Sequence, residues 1–226
     1  FEVSALEGFV HAALRVAIES GDDDQLQRLL TQESRGIFSL ELLTAEYCAL
    51  LLEECEHFEA WCIASDVEVK RPNTMNNYGA ILDDFGMEEV MQALMVRYVQ
   101  PLARVLGFAD VTGGEELATH HAFVVAYSIQ KDLALGFHVD SCDVTLNVCL
   151  GKEFEDGDLF FRGVRCPLHQ NSNASADERV TYRHRRGRAI LHRGHHRHGA
   201  HAISSGERHN LILWCRAPQG SPCSER

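Results

Sequence analysis

The sequence predicts an α+β fold in which N-terminal helices support a β-sandwich or jelly roll, and three observations carry that reading. Apolar residues recur at helical spacing through the first hundred positions. A Thr112-Gly113-Gly114 break follows, and the remainder alternates short β-rich runs with turn signals. The 226 residues suffice for one sizeable core with a small extension, and a composition 45% hydrophobic and 24% charged is that of an ordinary globular chain.

Leu6, Phe9, Val10, Ala13, Leu14 and Ala17 share one helical face, and Gly21 with Asp22, Asp23 and Asp24 ends that run. A second helix starts near Thr44 and carries Tyr47, Leu51, Cys55, Phe58 and Cys62 on one side. A third runs from about Met87 to Leu106 with Val90, Met91, Leu94, Tyr98, Leu102 and Val105 inward. Pro101 bends it, since proline has no N–H to donate and crowds the previous turn. Beyond Gly114, the runs 121–128, 144–150, 159–162, 188–192 and 209–215 read as strands. Turns such as Glu155-Asp156-Gly157-Asp158 and Ser204-Ser205-Gly206 separate them, and 166–177 reads as a flexible insertion. The expected organisation is a helical extension over 1–35 and one domain over 36–220, with helical support in 36–110 and a jelly-roll core in 118–216.

The net charge of −12 argues against general nucleic-acid affinity, but it is unevenly spread. Residues 1–120 hold 22 acids against seven bases, whereas 121–226 hold 11 acids against 14 bases, including seven arginines between Arg179 and Arg197. That basic stretch is either a solvated face or a rim that draws in an anionic co-substrate or an acidic partner. No apolar run approaches the roughly 18 residues of a membrane span. The chain starts at Phe1 with no leader pattern and reads as a segment of a longer one, which leaves its targeting open. Eight cysteines occur without a Cys-x-x-Cys pair, so reduced thiols in a cytoplasmic-type compartment are the default. Cys48, Cys55 and Cys62 are spaced as small core residues of one helix.

The chemistry starts at His138-Val139-Asp140. On an extended chain residues i and i+2 point to one side, so an imidazole and a carboxylate can reach one ion. Alone the pair is weak in a chain with 13 histidines. Six more histidines, His192, His195, His196, His198, His201 and His209, supply a third ligand without identifying it. Two imidazoles and one carboxylate leave coordination positions open, which suits Fe(II) awaiting oxygen better than a closed zinc site. A dianionic co-substrate then needs a cationic anchor, for which arginine is the best geometric match.

The run Tyr127-x10-His138-x-Asp140 followed by Thr145-Leu146-Asn147-Val148 resembles the catalytic domain of procollagen lysyl hydroxylases. More broadly it is similar to the prolyl and lysyl hydroxylase branch of the 2-oxoglutarate- and Fe(II)-dependent dioxygenases. Arg186–His192 looks like that family's strand before the distal histidine, and Phe154–Phe161 like its glycine-turn hairpin. The loop Arg71-Pro72-Asn73-Thr74-Met75-Asn76-Asn77-Tyr78-Gly79 resembles the 2-oxoglutarate and iron-dependent oxygenase domain-containing protein 2 group within it. In the family a glycine follows the distal histidine by eight positions and a basic residue by ten. Gly206 and Arg208 meet both offsets only from His198, with His201 as the rival ligand.

The resemblance implies a double-stranded β-helix (jelly roll). It implies Fe(2+) on His138, Asp140 and His198, with 2-oxoglutarate and O2 as co-substrates and ascorbate in support. Arg208 would hold the distal carboxylate of 2-oxoglutarate, with Tyr127 and Asn147 contacting the co-substrate or the metal. The implied reaction is hydroxylation coupled to 2-oxoglutarate decarboxylation, a protein or peptide lysyl or prolyl side chain being the substrate the branch suggests. A structural metal-binding jelly roll and a zinc hydrolase are the alternatives. Trp214 and Phe160 read as core, and the amides and tyrosine of the 71–79 loop as a candidate substrate entrance.

Overall fold

A computed structural model describes residues 2–165 and 169–218. Its α-helices are α1 (Leu6–Phe9), α2 (Ala12–Ser20), α3 (Asp23–Leu29), α4 (Ala45–Ala64), α5 (Glu88–Leu94), α6 (Gln100–Val105) and α7 (Ala109–Thr112). Its strands are β1 (Thr31–Ser34), β2 (Ile37–Glu41), β3 (Gly79–Ile81), β4 (Thr119–Ser128), β5 (Leu135–His138) and β6 (Val144–Gly151), then β7 (Phe154–Asp156), β8 (Leu159–Val164), β9 (Arg179–Tyr182), β10 (Arg188–Arg193), β11 (His196–Ala200) and β12 (Ile203–Arg216).

The helical expectations hold where side-chain period and capping agree. Thr44 caps α4, its Oγ1 accepting from the Tyr47 N–H at 3.2 Å, and Cys48, Cys55 and Cys62 are all buried along it. The third expected helix is continuous from α5 to α6 through a π-type turn at Met95–Val99, just before Pro101, which relieves the clash proline would make with an ordinary turn. The first expected helix is broken, because Val10 bridges to Leu43 and the His11 N–H donates to the Leu42 carbonyl. Residues 31–41 depart from the all-helical reading of the first hundred. They form β1 and β2, and β2 pairs with β10 about 150 residues later, a contact that local periodicity does not reveal.

All five strand runs read from the sequence fall on strands. β12 begins six residues before the expected 209 because Ile203–Gly206 pairs with β7. The large sheet runs β1-β2-β10-β6-β12-β4-β3, and the small one β5-β11-β8-β9. Alternation along the central strands sorts the chemistry. Val144, Leu146, Val148 and Leu150 of β6 join Leu211 and Leu213 of β12 and Ala122 and Val124 of β4 against the helices. The intervening residues, Thr145 and Asn147, Asn210 and Ile212, Phe123, Val125 and Tyr127, face the space between the sheets. This is the expected α+β jelly roll, with a dry side against helices and a side that lines a cavity. Truncating a helix-side residue such as the fully buried Leu146 costs about 2–5 kcal/mol.

The arginines between 179 and 197 do not form one rim. Arg188 binds Glu41, Arg193 binds Asp110, and Arg197 is buried, donating to the carbonyls of Arg162, Gln170 and Ser172. Part of the expected insertion at 166–177 lies outside the described residues; Ser175 and Glu178 form a capping box at its end.

Candidate metal centre

Cross-strand register places the first two donors. His138, the last residue of β5, and His198, in the middle of β11, are direct partners, and their rings lie 4.2 Å apart. Asp140 follows two residues after His138, and its N–H donates to the Gly194 carbonyl at 2.9 Å, which ties this loop to the β10–β11 turn. His138 Nε2 is 3.4 Å from Asp140 Oδ1, His198 Nε2 is 3.7 Å from Oδ2, and the donor atoms of all three lie within 4.8 Å of one another.

Each imidazole is oriented by its other nitrogen. His138 Nδ1 faces the Gly136 carbonyl at 2.7 Å and His198 Nδ1 the His196 carbonyl at 2.8 Å. A nitrogen facing a carbonyl carries the proton, which leaves both Nε2 lone pairs free for a cation. Thr145 Oγ1 donates to Asp140 Oδ2 at 2.6 Å. Burial opposes ionisation of Asp140, but His198, His138 and Thr145 outweigh it and hold the carboxyl well below the usual range. Burial lowers the His198 pKa, against the pull of Asp140, so a neutral imidazole stands beside a carboxylate. That is the protonation state metal binding requires. The donor set fits a divalent cation bound on one face, with positions left for small ligands.

His201, the rival ligand, is exposed, and its ring packs 4.8 Å from Phe160. His192 is fully buried with its ring 4.7 Å from His198, supporting the ligand rather than joining it. His196 is buried and acts through its carbonyl, while His195 is exposed.

The triad opens on a narrow cavity between the two sheets. At its far end Arg208 is 1% exposed, lies 4.4 Å from the Tyr127 ring centre, and donates through Nη1 to the Gly157 carbonyl. Its Nε has no partner, and no carboxylate among the described residues pairs with the guanidinium. Gly157 is required here, for a Cβ on it would sit 2.6 Å from Arg208 Nη1 and its φ is +74°. Tyr127, the cross-strand partner of Arg208, accepts at its hydroxyl from Asn76 Nδ2 at 3.1 Å. Asn147 Oδ1 accepts from Asn210 Nδ2 at 2.7 Å. Every residue the sequence nominated for the site therefore lines one cavity.

Three contributors went unrecognised in the sequence: Thr145 fixes the aspartate, Asn210 pairs with Asn147, and His184 lies beside Asn210 on the wall. Asn76, one of the 71–79 loop amides, reaches Tyr127. That loop also brings Asn73 and Met75 to the cavity wall, while Tyr78 is not among the lining residues. Trp214 departs from the core reading. It packs edge-on against Phe123 at 5.1 Å on the cavity wall, and its Nε1–H has no partner. Phe160 is half-buried beside His201 and Arg162.

Residues 2–113 match the family model described as OGFOD2-like domain. Over 92% of its length the chain is 46% identical to 2-oxoglutarate and iron-dependent oxygenase domain-containing protein CP2 of Arabidopsis thaliana, covering 52% of that protein. It is 45% identical over 85% of its length to the human 2-oxoglutarate and iron-dependent oxygenase domain-containing protein 2, covering 52% of it. The chain thus spans about half the length of the curated relatives it matches. Among solved structures, a prolyl hydroxylase from Trichoplax adhaerens in complex with a hypoxia inducible factor peptide fragment superposes with a TM-score of 0.58. The match is 14% identical and covers 92% of this chain and 96% of that one, a likeness of fold.

Proposed function

From a chain that carries an OGFOD2-like domain and is homologous to the 2-oxoglutarate and iron-dependent oxygenase domain-containing proteins, we propose an Fe(II)- and 2-oxoglutarate-dependent hydroxylase. One observation supports this above the rest. The cavity that gathers two imidazoles and a carboxylate also buries a guanidinium that forms no ion pair with a carboxylate among the described residues. A buried, unpaired cation is costly, and a site retains one where a ligand supplies the anion.

In this reading His138 Nε2, Asp140 and His198 Nε2 hold the iron, and Arg208 holds the distal carboxylate of 2-oxoglutarate. Iron and 2-oxoglutarate together with O2 supply the oxidising power for an unactivated C–H bond, as 2-oxoglutarate becomes succinate and carbon dioxide. The chain's own work is positioning. Arg208 and the Tyr127 hydroxyl fix the remote end of the co-substrate, while the Asn147–Asn210 pair offers amides along its length. Phe123, Val125, Ile212 and Trp214 make the wall apolar and keep water from the reacting centre.

The substrate group that reaches the metal is uncharged. Among the described residues Asp140 is the one acid lining the cavity, and it is committed to the metal, so a lysyl ammonium would find no further counter-charge there. This favours a prolyl-like or other neutral side chain of a protein over a lysyl one. A purely structural metal site gives no reason for the buried Arg208, and a zinc hydrolase would find no further carboxylate among the described residues lining the cavity to act as general base.

The test is anaerobic Fe(II) titration and succinate formation. His138→Ala, Asp140→Ala and His198→Ala are each expected to lose Fe(II) affinity sharply, and His201→Ala to keep it. Arg208→Ala is expected to raise the 2-oxoglutarate requirement by two orders of magnitude or so while leaving Fe(II) affinity within a fewfold. Absence of succinate from iron-loaded wild-type protein across neutral and cationic peptides would sink the reading.

A further inference from the structure

A second cavity opens beside His184. Lys152, Arg183 and Arg186 line it, together with His184 and a single carboxylate, Glu153. His184 also lines the metal cavity, so one imidazole is the partition between the two spaces. The ring is 5% exposed and meets Tyr182 edge-on, with ring centres 5.6 Å apart. Its polar contact is Asn210 Nδ2, at 3.4 Å from both ring nitrogens, a side-on approach rather than a directed hydrogen bond. Such a partition can turn about its side-chain bonds at the cost of packing alone.

The chamber carries cationic side chains. Lys152 is paired with Glu56 at 2.7 Å and Glu207 at 3.3 Å, but Arg183 and Arg186 are exposed and pair with no carboxylate among the described residues. Arg186 Nη2 donates to the Ala45 carbonyl at 3.1 Å, which fixes the side chain without neutralising it. A concave basic chamber concentrates small anions.

We propose that this chamber is a second binding site for small dicarboxylates. Through it the dianionic co-substrate reaches Arg208, and the dianionic product leaves, past His184. This inference rests on the oxygenase reading above. It separates co-substrate exchange from the substrate's mouth, so a large substrate seated over the metal does not block renewal of the co-substrate.

Stopped-flow tryptophan fluorescence of the Fe(II)-loaded protein, mixed anaerobically with 2-oxoglutarate, tests the route, with Trp214 on the cavity wall as reporter. The double variant Arg183→Glu/Arg186→Glu is expected to slow association on the order of tenfold at low salt, the deficit shrinking as salt is raised. His184→Trp, which fills the partition, is expected to slow association and dissociation together and to keep Kd within about threefold. A His184 that merely supports the bound co-substrate would instead raise Kd through faster dissociation. Should His184→Trp fail to fold, the exposed double variant decides alone. Normal association in the double variant overturns the route while the oxygenase reading stands. A wild-type protein that binds no 2-oxoglutarate at all brings down both.

Discussion

Thr145 shows how much a single hydroxyl can settle. Its proton goes to Asp140 Oδ2 at 2.6 Å, while Oδ1 is the oxygen nearest His138 Nε2, so the carboxylate is turned to offer one oxygen to a metal. Losing such a supporting bond typically costs about 10–100-fold in metal affinity. Thr145→Val keeps the shape and removes the donor, so its Fe(II) or Co(II) dissociation constant is expected to rise by that factor, with Thr145→Ser restoring most of it. A titration that finds valine equal to wild type would remove Thr145 from the site. The arginine at the far end poses the complementary case. Arg208 is retained at the cost of its own desolvation, and burial lowers its pKa, although a guanidinium stays charged.

At the scale of elements, the site depends on register. β12 carries Arg208, Asn210, Ile212 and Trp214 into the cavity at every second position, and a slip of one residue would turn all four toward the helices. Gly206 sits at the start of the β4 and β6 pairing, with φ +75° and the β7 hairpin close against it; a Cβ there would lie 2.9 Å from the Phe154 Cα. Gly206→Ala is expected to lower stability by more than about 1 kcal/mol, read as a reduced urea midpoint at unchanged slope. It is also expected to raise the 2-oxoglutarate requirement, because Arg208 follows two residues later. A variant with an unchanged midpoint would show that the turn tolerates a side chain. β5 and β11 work in the same way for the metal, since their pairing sets His138 opposite His198.

The whole molecule is built to be less stable in acid. His209 is buried and its pKa is pushed down to about 4, first by burial and then by Lys131 and Lys152, against the opposing pull of Glu207 and Glu56. The unfolded chain takes up that proton near pH 6.5 and the folded chain only near pH 4. This residue therefore costs almost nothing well above pH 6.5, and its penalty grows as pH falls through the window, approaching about 3 kcal/mol. His209→Asn is expected to flatten the slope of unfolding free energy between pH 6.5 and 4; an unaltered slope would assign the acid loss elsewhere. Bound metal acts in the opposite sense. Fe(II) at 100 times its dissociation constant is expected to stabilise the wild-type fold by about 2.7 kcal/mol, and chelation to remove that gain.

Local sequence determined the elements whose signals lie within a few residues. Thr44 and Gly21 marked helix ends, the 3.6-residue period placed α4 and the α5–α6 stack, and alternation placed the central strands. It also nominated His138 and Asp140, because two residues on a strand share a side whatever the fold. The offsets to Gly206 and Arg208, read against the family, nominated His198 among six candidates. Only the tertiary structure decided the rest. Asn76 meets Tyr127 across 51 positions and Asn210 meets Asn147 across 63, while Phe38 pairs with Leu191 across the sheet. Such partners carry no shared spacing, since each is chosen by which strands lie side by side. Of the seven arginines that looked like one basic feature, the fold sends Arg188 and Arg193 to different acids and Arg197 to buried carbonyls. A charge run is a property of the chain, and a charged surface is a property of the packing.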